Sequence, residues 1–167
     1  SNQSLLGALA EGQLDMAVLS GFGVELGKGL DSRVTLSDPC MVMISASHPL
    51  AAKKEIHPRE LKGMPIVLNR AQDSQPSAGL IAGMYANMGL RENKRMYADD
   101  FYSIALIINT GIAFSIMPTS VACWGIDGVV FRPVQGFKAK ARTLLVYPRG
   151  SQDTGIQSFV SLIRPKR

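Results

Sequence analysis

Cysteine, histidine and aromatic residues are scarce in this chain. It has two cysteines and two histidines among 167 residues, and aromatics make up 7%. Two cysteines allow at most one disulfide, and Cys40 and Cys123 are read in preference as two buried thiols in a reducing compartment. His48 and His57 lack any CxxC or HxxxH partner spacing, which argues against a zinc site. His48 is read as a structural turn residue. No apolar run approaches the roughly 20 residues that span a bilayer, and no basic-then-apolar leader opens the chain. A cytoplasmic protein without membrane contact, metal or cofactor is expected. Catalytic signatures are missing as well. Ser20, Ser74 and Ser115 do not sit in GxSxG, and there is no HExxH, no P-loop and no carboxylate pair with a clear role. Gly21-Phe22-Gly23 resembles part of a dinucleotide-binding loop, but no third glycine opens a helix behind it.

What is present is ordinary for a globular protein: 46% hydrophobic and 19% charged residues. The length fits one domain or two small lobes with a real core. The net charge of +5 comes partly from Arg164, Lys166 and Arg167. Further basic residues are scattered at Lys53-Lys54, Arg91-Lys94-Arg95 and Lys138-Lys140-Arg142. With few aromatics between them they make no base-stacking platform, and they are read as solvated surface.

Periodicity places the elements. Asn2 or Ser4 can cap a short helix carrying Leu5, Leu6 and Leu9, ended at Gly12. Leu14 to Leu19 is a near-continuous apolar run, which predicts a strand buried on both faces. Val34 to Ser45 holds the next strand or strand pair, broken at Pro39. Ile56 to Leu61 is a helical turn, Met64 to Leu68 a strand, and Asn69 to Ser77 a polar loop. Leu80, Ile81, Met84, Tyr85 and Met88 form one helix face closed by Gly89. A strand at Arg95 to Ala98 precedes a helix capped by Asp99 or Asp100, which carries Ile104 to Ile108 and ends at Gly111. Phe114 to Met117 is a strand and Thr119 to Trp124 a helical turn. Val129 to Val134 and Thr143 to Tyr147 are strands. Ser151 caps a last helix stopped by Pro165. Strands alternating with helices predict an α/β fold with mostly parallel sheets.

Three pieces in order carry a resemblance: LLGALAEGQLDMAVLS from Leu5, SASHPLA from Ser45, and IINTGIAFSIMP from Ile107. The chain resembles the effector-binding domain of LysR-type transcriptional regulators along nearly its whole length. That implies the two-lobed fold of type II periplasmic binding proteins and the sensing of a small molecule. Residues 1–52 with 142–167 are expected to form lobe I and residues 53–141 lobe II, joined by two crossing segments. Two departures accompany the match. Ala113 stands where the family usually has a second glycine. The opening strand-helix-strand, roughly 30 residues in such units, is expected upstream of Ser1, leaving lobe I incomplete. The family's helix-turn-helix domain precedes that unit, so DNA would be reached only through a domain outside this chain. A homodimer, or a tetramer of the full-length protein, is implied.

Ligands of open α/β sheets lie beyond the carboxyl ends of the strands, where helix N-termini present unpaired N–H groups. The polar residues at such junctions are Asn2, Gln3 and Ser4, then Ser20, Asn69, Arg70, Gln72, Ser74, Asp100 and Thr119. Arg70 is the cation of the set, able to grip a carboxylate with two hydrogen bonds. A small polar or anionic metabolite held between the lobes is expected. Two other readings stay open: a small enzyme of the binding-protein fold, such as a dehydratase of aromatic amino-acid synthesis, or a solute-binding protein of a transporter.

Overall fold

The computed structural model describes residues 1–73 and 77–163, the side chains of 20, 21, 72 and 73 excepted. In chain order the elements are α1 (Asn2–Ala10), β1 (Ala17–Gly21), β2 (Leu30–Ser45), β3 (Ile66–Asn69), α2 (Arg70–Asp73), α3 (Ala78–Asn87), β4 (Arg95–Ala98), α4 (Phe101–Asn109), β5 (Ser115–Pro118), β6 (Val129–Arg132), β7 (Lys140–Pro148) and α5 (Thr154–Leu162). Short 3-10 helices cover Pro49–Ala52, Pro58–Leu61 and Thr119–Trp124. The chain forms two compact units, Ser1–Ser37 with Ala141–Arg167 and Asp38–Lys140. The first division falls inside β2, whereas the family resemblance implies one near residue 52.

In the first unit, α1 lies on β1. Leu9, Ala17, Leu19, Leu30 and Val146 make the core, flanked by Leu5, Leu6, Val24, Leu26 and Leu144. Ala17 and Leu19 are buried while Val18 between them is 60% exposed. β1 is therefore covered on one face only, not on both as its apolar run suggested. A strand's side chains alternate, and α1 covers one side. β1 pairs antiparallel with β7, Leu19 opposite Leu144, and β7 lies beside β2. The helix caps differ from expectation by a residue or two. Ser1 caps α1, its Oγ accepting the Ser4 N–H at 3.2 Å. Asp153, not Ser151, caps α5, accepting from the N–H groups of Gly155 and Ile156 at 2.7 and 3.0 Å. Each cap side chain sits where it reaches the N–H groups two or three residues on.

Pro39 does not break β2, which runs through it. The proline lacks a donor, and it falls where the strand changes partners. Earlier residues lie beside β7, and Cys40 onward pairs with β5. The Cys40 N–H goes to the Ala139 carbonyl at 2.9 Å.

In the second unit β3 and β4 pair in parallel, Ile66 opposite Arg95 through Asn69 opposite Ala98. β3 meets the start of β5 through a parallel bridge, Ile66 to Phe114. β5 and β6 both pair antiparallel with β2. The strand order is β4–β3–β5–β2–β6, with β2 alone running against the others. Mostly parallel pairing was expected, and the described pairings are mixed. Parallel neighbours need a helical crossover, which α2–α3 and α4 supply for β3, β4 and β5. β2 and β7 carry the chain from one unit to the other and back, and they pair antiparallel with β5, β6 and β1. The core here is Met43, Val67, Ala98, Ile104, Ala105, Ile108 and Ala113. The turn after α4 needs glycine only at Gly111, whose φ is +83°. Ala113 keeps an ordinary φ and is fully buried, so the departure from the family's second glycine costs no strain.

Tyr85 on α3 is buried, and its hydroxyl accepts the Ile116 N–H at 3.1 Å. Burial pushes its phenol up to about 12. Because the folded value lies above the unfolded one near 10, the associated stability is complete below about pH 10 and is lost between roughly pH 10 and 12. Tyr85→Phe is expected to remove that alkaline loss and to cost about 1–2 kcal/mol at neutral pH by orphaning the Ile116 N–H. Urea denaturation at pH 7 and pH 11 checks both. An unchanged alkaline slope in the variant would rule out Tyr85 as its source.

Cys40 is buried as expected, but Cys123 is exposed. The short helix that carries it buries only Val121. His48 is structural: its Nδ1 accepts the Leu50 N–H at 3.1 Å and caps the Pro49–Ala52 turn.

Candidate functional site

Parallel pairing of β4, β3 and β5 brings three strand ends to one edge of the second unit. Asn69 and Arg70 follow β3, Asp99 and Asp100 follow β4, and Thr119 and Ser120 follow β5. This is the carboxyl edge at which open sheets take ligands.

At β3, the expected loop from Asn69 opens instead with one turn of helix, α2. Asn69 starts it, its Oδ1 accepting the Ala71 N–H at 2.8 Å, while its Nδ2 donates to the Asp99 carbonyl at 3.4 Å. Arg70 is not an isolated cation. Its Nε donates to Asp99 Oδ1 at 2.8 Å, and its guanidinium lies 5.9 Å from the centroid of the Tyr97 ring. Both members of the pair are well exposed, so water and salt screen it. Arg70's other N–H groups still point at no described acidic partner. At β4, Asp100 caps α4, accepting from the backbone N–H and the hydroxyl of Ser103, each at 2.8 Å. Those bonds hold its carboxyl below the usual range.

At β5, Thr119 Oγ1 donates to Asp38 Oδ1 at 2.6 Å, and the Ser120 N–H donates to Asp38 Oδ2 at 2.8 Å. Asp38 stands at the middle of β2 and is 6% exposed. Burial pushes its carboxyl up, but the bonds from Ser120 and Thr119 outweigh that and hold it below the ordinary carboxylate range.

Of the residues chosen from sequence, Asn69, Arg70, Asp100 and Thr119 come together on this edge. Gln72 lies on α2 beside them, its side chain outside the described residues, as is Ser74 altogether. Asn2, Gln3, Ser4 and Ser20 belong to the other unit. The first three form the opening turn of α1, with Gln3 and Ser4 exposed. Ser20 lies in β1 opposite Thr143, its side chain not described. Sequence reasoning missed Asp38 and Tyr97, and it saw Asp99 chiefly as a cap that could also meet an amine or hydroxyl. Asp38 had one readable signal, a carboxylate beside a proline just ahead of the apolar run from Cys40 to Ile44.

Each unit has a hollow among its described residues. One, between Leu68, Asn69, Ile81, Tyr85 and Arg95, holds about 10 Å³, room for a single water at most. The other is an open hollow of about 290 Å³ in the first unit, lined by Arg33, Tyr147, Ser151, Ile156, Gln157 and Val160. None of the residues chosen from sequence lines it. No group of histidine, cysteine and acidic side chains among the described residues could hold a metal ion, and no described helix is long and apolar enough to cross a membrane.

Residues 1–167 match the family described as the LysR substrate binding domain. The Hca operon transcriptional activator HcaR of Escherichia coli is 21% identical over 137 residues, covering 82% of this chain and 46% of that protein. This chain spans about half the length of the curated relatives it matches. The BenM effector-binding domain with its effector benzoate superposes with a TM-score of 0.80 at 19% identity, covering 97% of this chain and 73% of that one. The effector-binding domain of QuiR in complex with shikimate gives 0.74 at 18% identity, covering 95% and 74%.

Proposed function

The chain belongs to the LysR substrate binding domain family, and from that membership we propose that it senses a small polar metabolite and so controls DNA binding by a transcriptional regulator. The carrying observation is the shared edge of β3, β4 and β5, which gathers Asn69, Arg70, Asp100 and Thr119 at the carboxyl ends of parallel strands. A sensor needs differential contacts with its ligand in two states of the protein, not a reacting group. The residues on this edge suit that role. They are donors and acceptors fixed by caps and pairs. The family is one of regulators rather than enzymes. DNA contact belongs in this proposal to a helix-turn-helix domain of the whole protein, which acts in the cytoplasm as a homodimer or tetramer.

Isothermal calorimetry with a panel of small metabolites, benzoate and shikimate among them, tests the reading. Arg70→Ala is expected to weaken the binding of an acidic member by about 1.5–3 kcal/mol, roughly 10- to 150-fold. Ser4→Ala tests the exposed first turn of α1 in the same way. Affinities unchanged in both variants would remove these residues from the site.

A further inference from the structure

The two groups that the end of β5 could offer to a ligand are already used from within. An ionised carboxylate carries no proton, so in the bond to Asp38 the hydroxyl of Thr119 must be the donor. At 2.6 Å, short and charge-assisted, that bond commits the hydroxyl proton. The Ser120 N–H, which otherwise would face outward at the start of the short helix, is committed to the second carboxylate oxygen at 2.8 Å. Thr119 is half-buried, and its oxygen has no other partner among the described residues. What remains at this position is a hydroxyl oxygen with lone pairs to give and no proton.

Its surroundings lean the same way. The Asn69 amide donates to the Asp99 carbonyl. Asp100 and Asp99 bring two more carboxylates to the edge, against the single cation Arg70, which is paired with Asp99. A ligand carboxylate set against Thr119 would meet an acceptor, with the buried negative charge of Asp38 directly behind it. A ligand hydroxyl or amine would find the partner it needs.

We infer that Asp38 is a positioning residue that fixes Thr119 as an acceptor, so that the end of β5 selects ligand groups that donate a hydrogen bond, hydroxyl or amine, over a carboxylate. This rests on the proposed sensing role of the β3–β4–β5 edge, and it narrows the ligand at this position to a donor-bearing one. It leaves Arg70, at the end of β3, as the place for any acidic group.

Asp38→Asn separates this role from a merely structural one. In the variant the amide oxygen can keep the Ser120 N–H, and the amide nitrogen then faces Thr119 as a donor. The threonine hydroxyl turns its proton outward, so fold and cap persist while the polarity seen by a ligand inverts. The measurement is an NMR titration of the whole chain with benzyl alcohol and, separately, with benzoate, reading Thr119 and Arg70 resonances independently. In the parent, Thr119 should respond to the alcohol at about tenfold lower concentration than to benzoate, as expected for one satisfied against one mismatched hydrogen bond. In Asp38→Asn that ratio should flatten or reverse, with slow exchange of the Ser120 amide retained. If that variant fails to fold, Thr119→Val serves instead; it should lose the alcohol preference and leave the benzoate response at Arg70 unchanged. The same preference in parent and variant overturns the inference. Silence at Thr119 with a response at Arg70 overturns it alone. Silence at both residues overturns the site reading along with it.

Discussion

Replacing Phe114 with alanine should destabilise the second unit by about 3–5 kcal/mol, the range for emptying a fully buried aromatic position. Phe114 is completely buried. Its ring meets Tyr85 edge-on, with centroids 6.3 Å apart and planes at 62°, an arrangement that adds to the area it buries. Its backbone is the link between β3 and β5. The Phe114 carbonyl accepts the Val67 N–H at 2.8 Å, and its own N–H goes to the Pro65 carbonyl at 3.0 Å. The truncation leaves those bonds in place but removes the side chain that holds the two strands and α3 together. Equilibrium urea denaturation of parent and variant gives the difference. A loss below about 1 kcal/mol would mean that the surrounding side chains collapse into the space, and that Phe114 does not anchor the edge.

The second large effect is expected at Asn93. This residue is buried, and its Nδ2 donates both to the Leu61 carbonyl at 2.6 Å and to the Met64 carbonyl at 2.8 Å. One amide thus ties the turn that feeds β3 to the turn that feeds β4. The Ile66 N–H reinforces the tie, donating to the Lys94 carbonyl at 2.8 Å. Together these bonds set the register that delivers Asn69 and Ala98 to the same level. Asn93→Leu keeps the volume and loses both bonds. The Leu61 carbonyl retains the Met64 N–H, whereas the Met64 carbonyl is left without a described partner. The expected cost is about 2–3 kcal/mol. Hydrogen exchange should also quicken first at β3 and β4, since the local tie goes before the global fold. Faster exchange confined to the first unit, or a cost under about 0.5 kcal/mol, would contradict this account.

Much of the local structure was legible in the residues. The α4 stretch from Phe101 to Asn109, with Asp100 ahead of it and Gly111 behind, was predicted because cap, apolar face and stop each act within a few residues of where they stand. The same is true of α3 with Gly89 and of the strands at Arg95 and Thr143. The ordered pieces around Leu5, Ser45 and Ile107 were enough to indicate the family. Caps were placed a residue or two off at α1 and α5, because several neighbouring oxygens could reach the same N–H groups and only the folded backbone selects one.

What the sequence could not decide was partnership across distance. Val18 reads like its apolar neighbours in LDMAV, and only the position of α1 exposes it. Pro39 reads as a strand breaker, and only the change of partners along β2 lets the strand pass through it. Arg70 reads as a free cation until β4 brings Asp99 to 2.8 Å from it. Asp38 has no visible partner in the sequence until β5 lays Thr119 and Ser120 against it. Sequence by itself determined the elements, their order and the family, because propensity, capping and apolar period act between near neighbours. The tertiary structure alone decided which polar groups remain open to a ligand, because a hydrogen bond between residues 38 and 119 exists only after strand pairing has closed the chain between them.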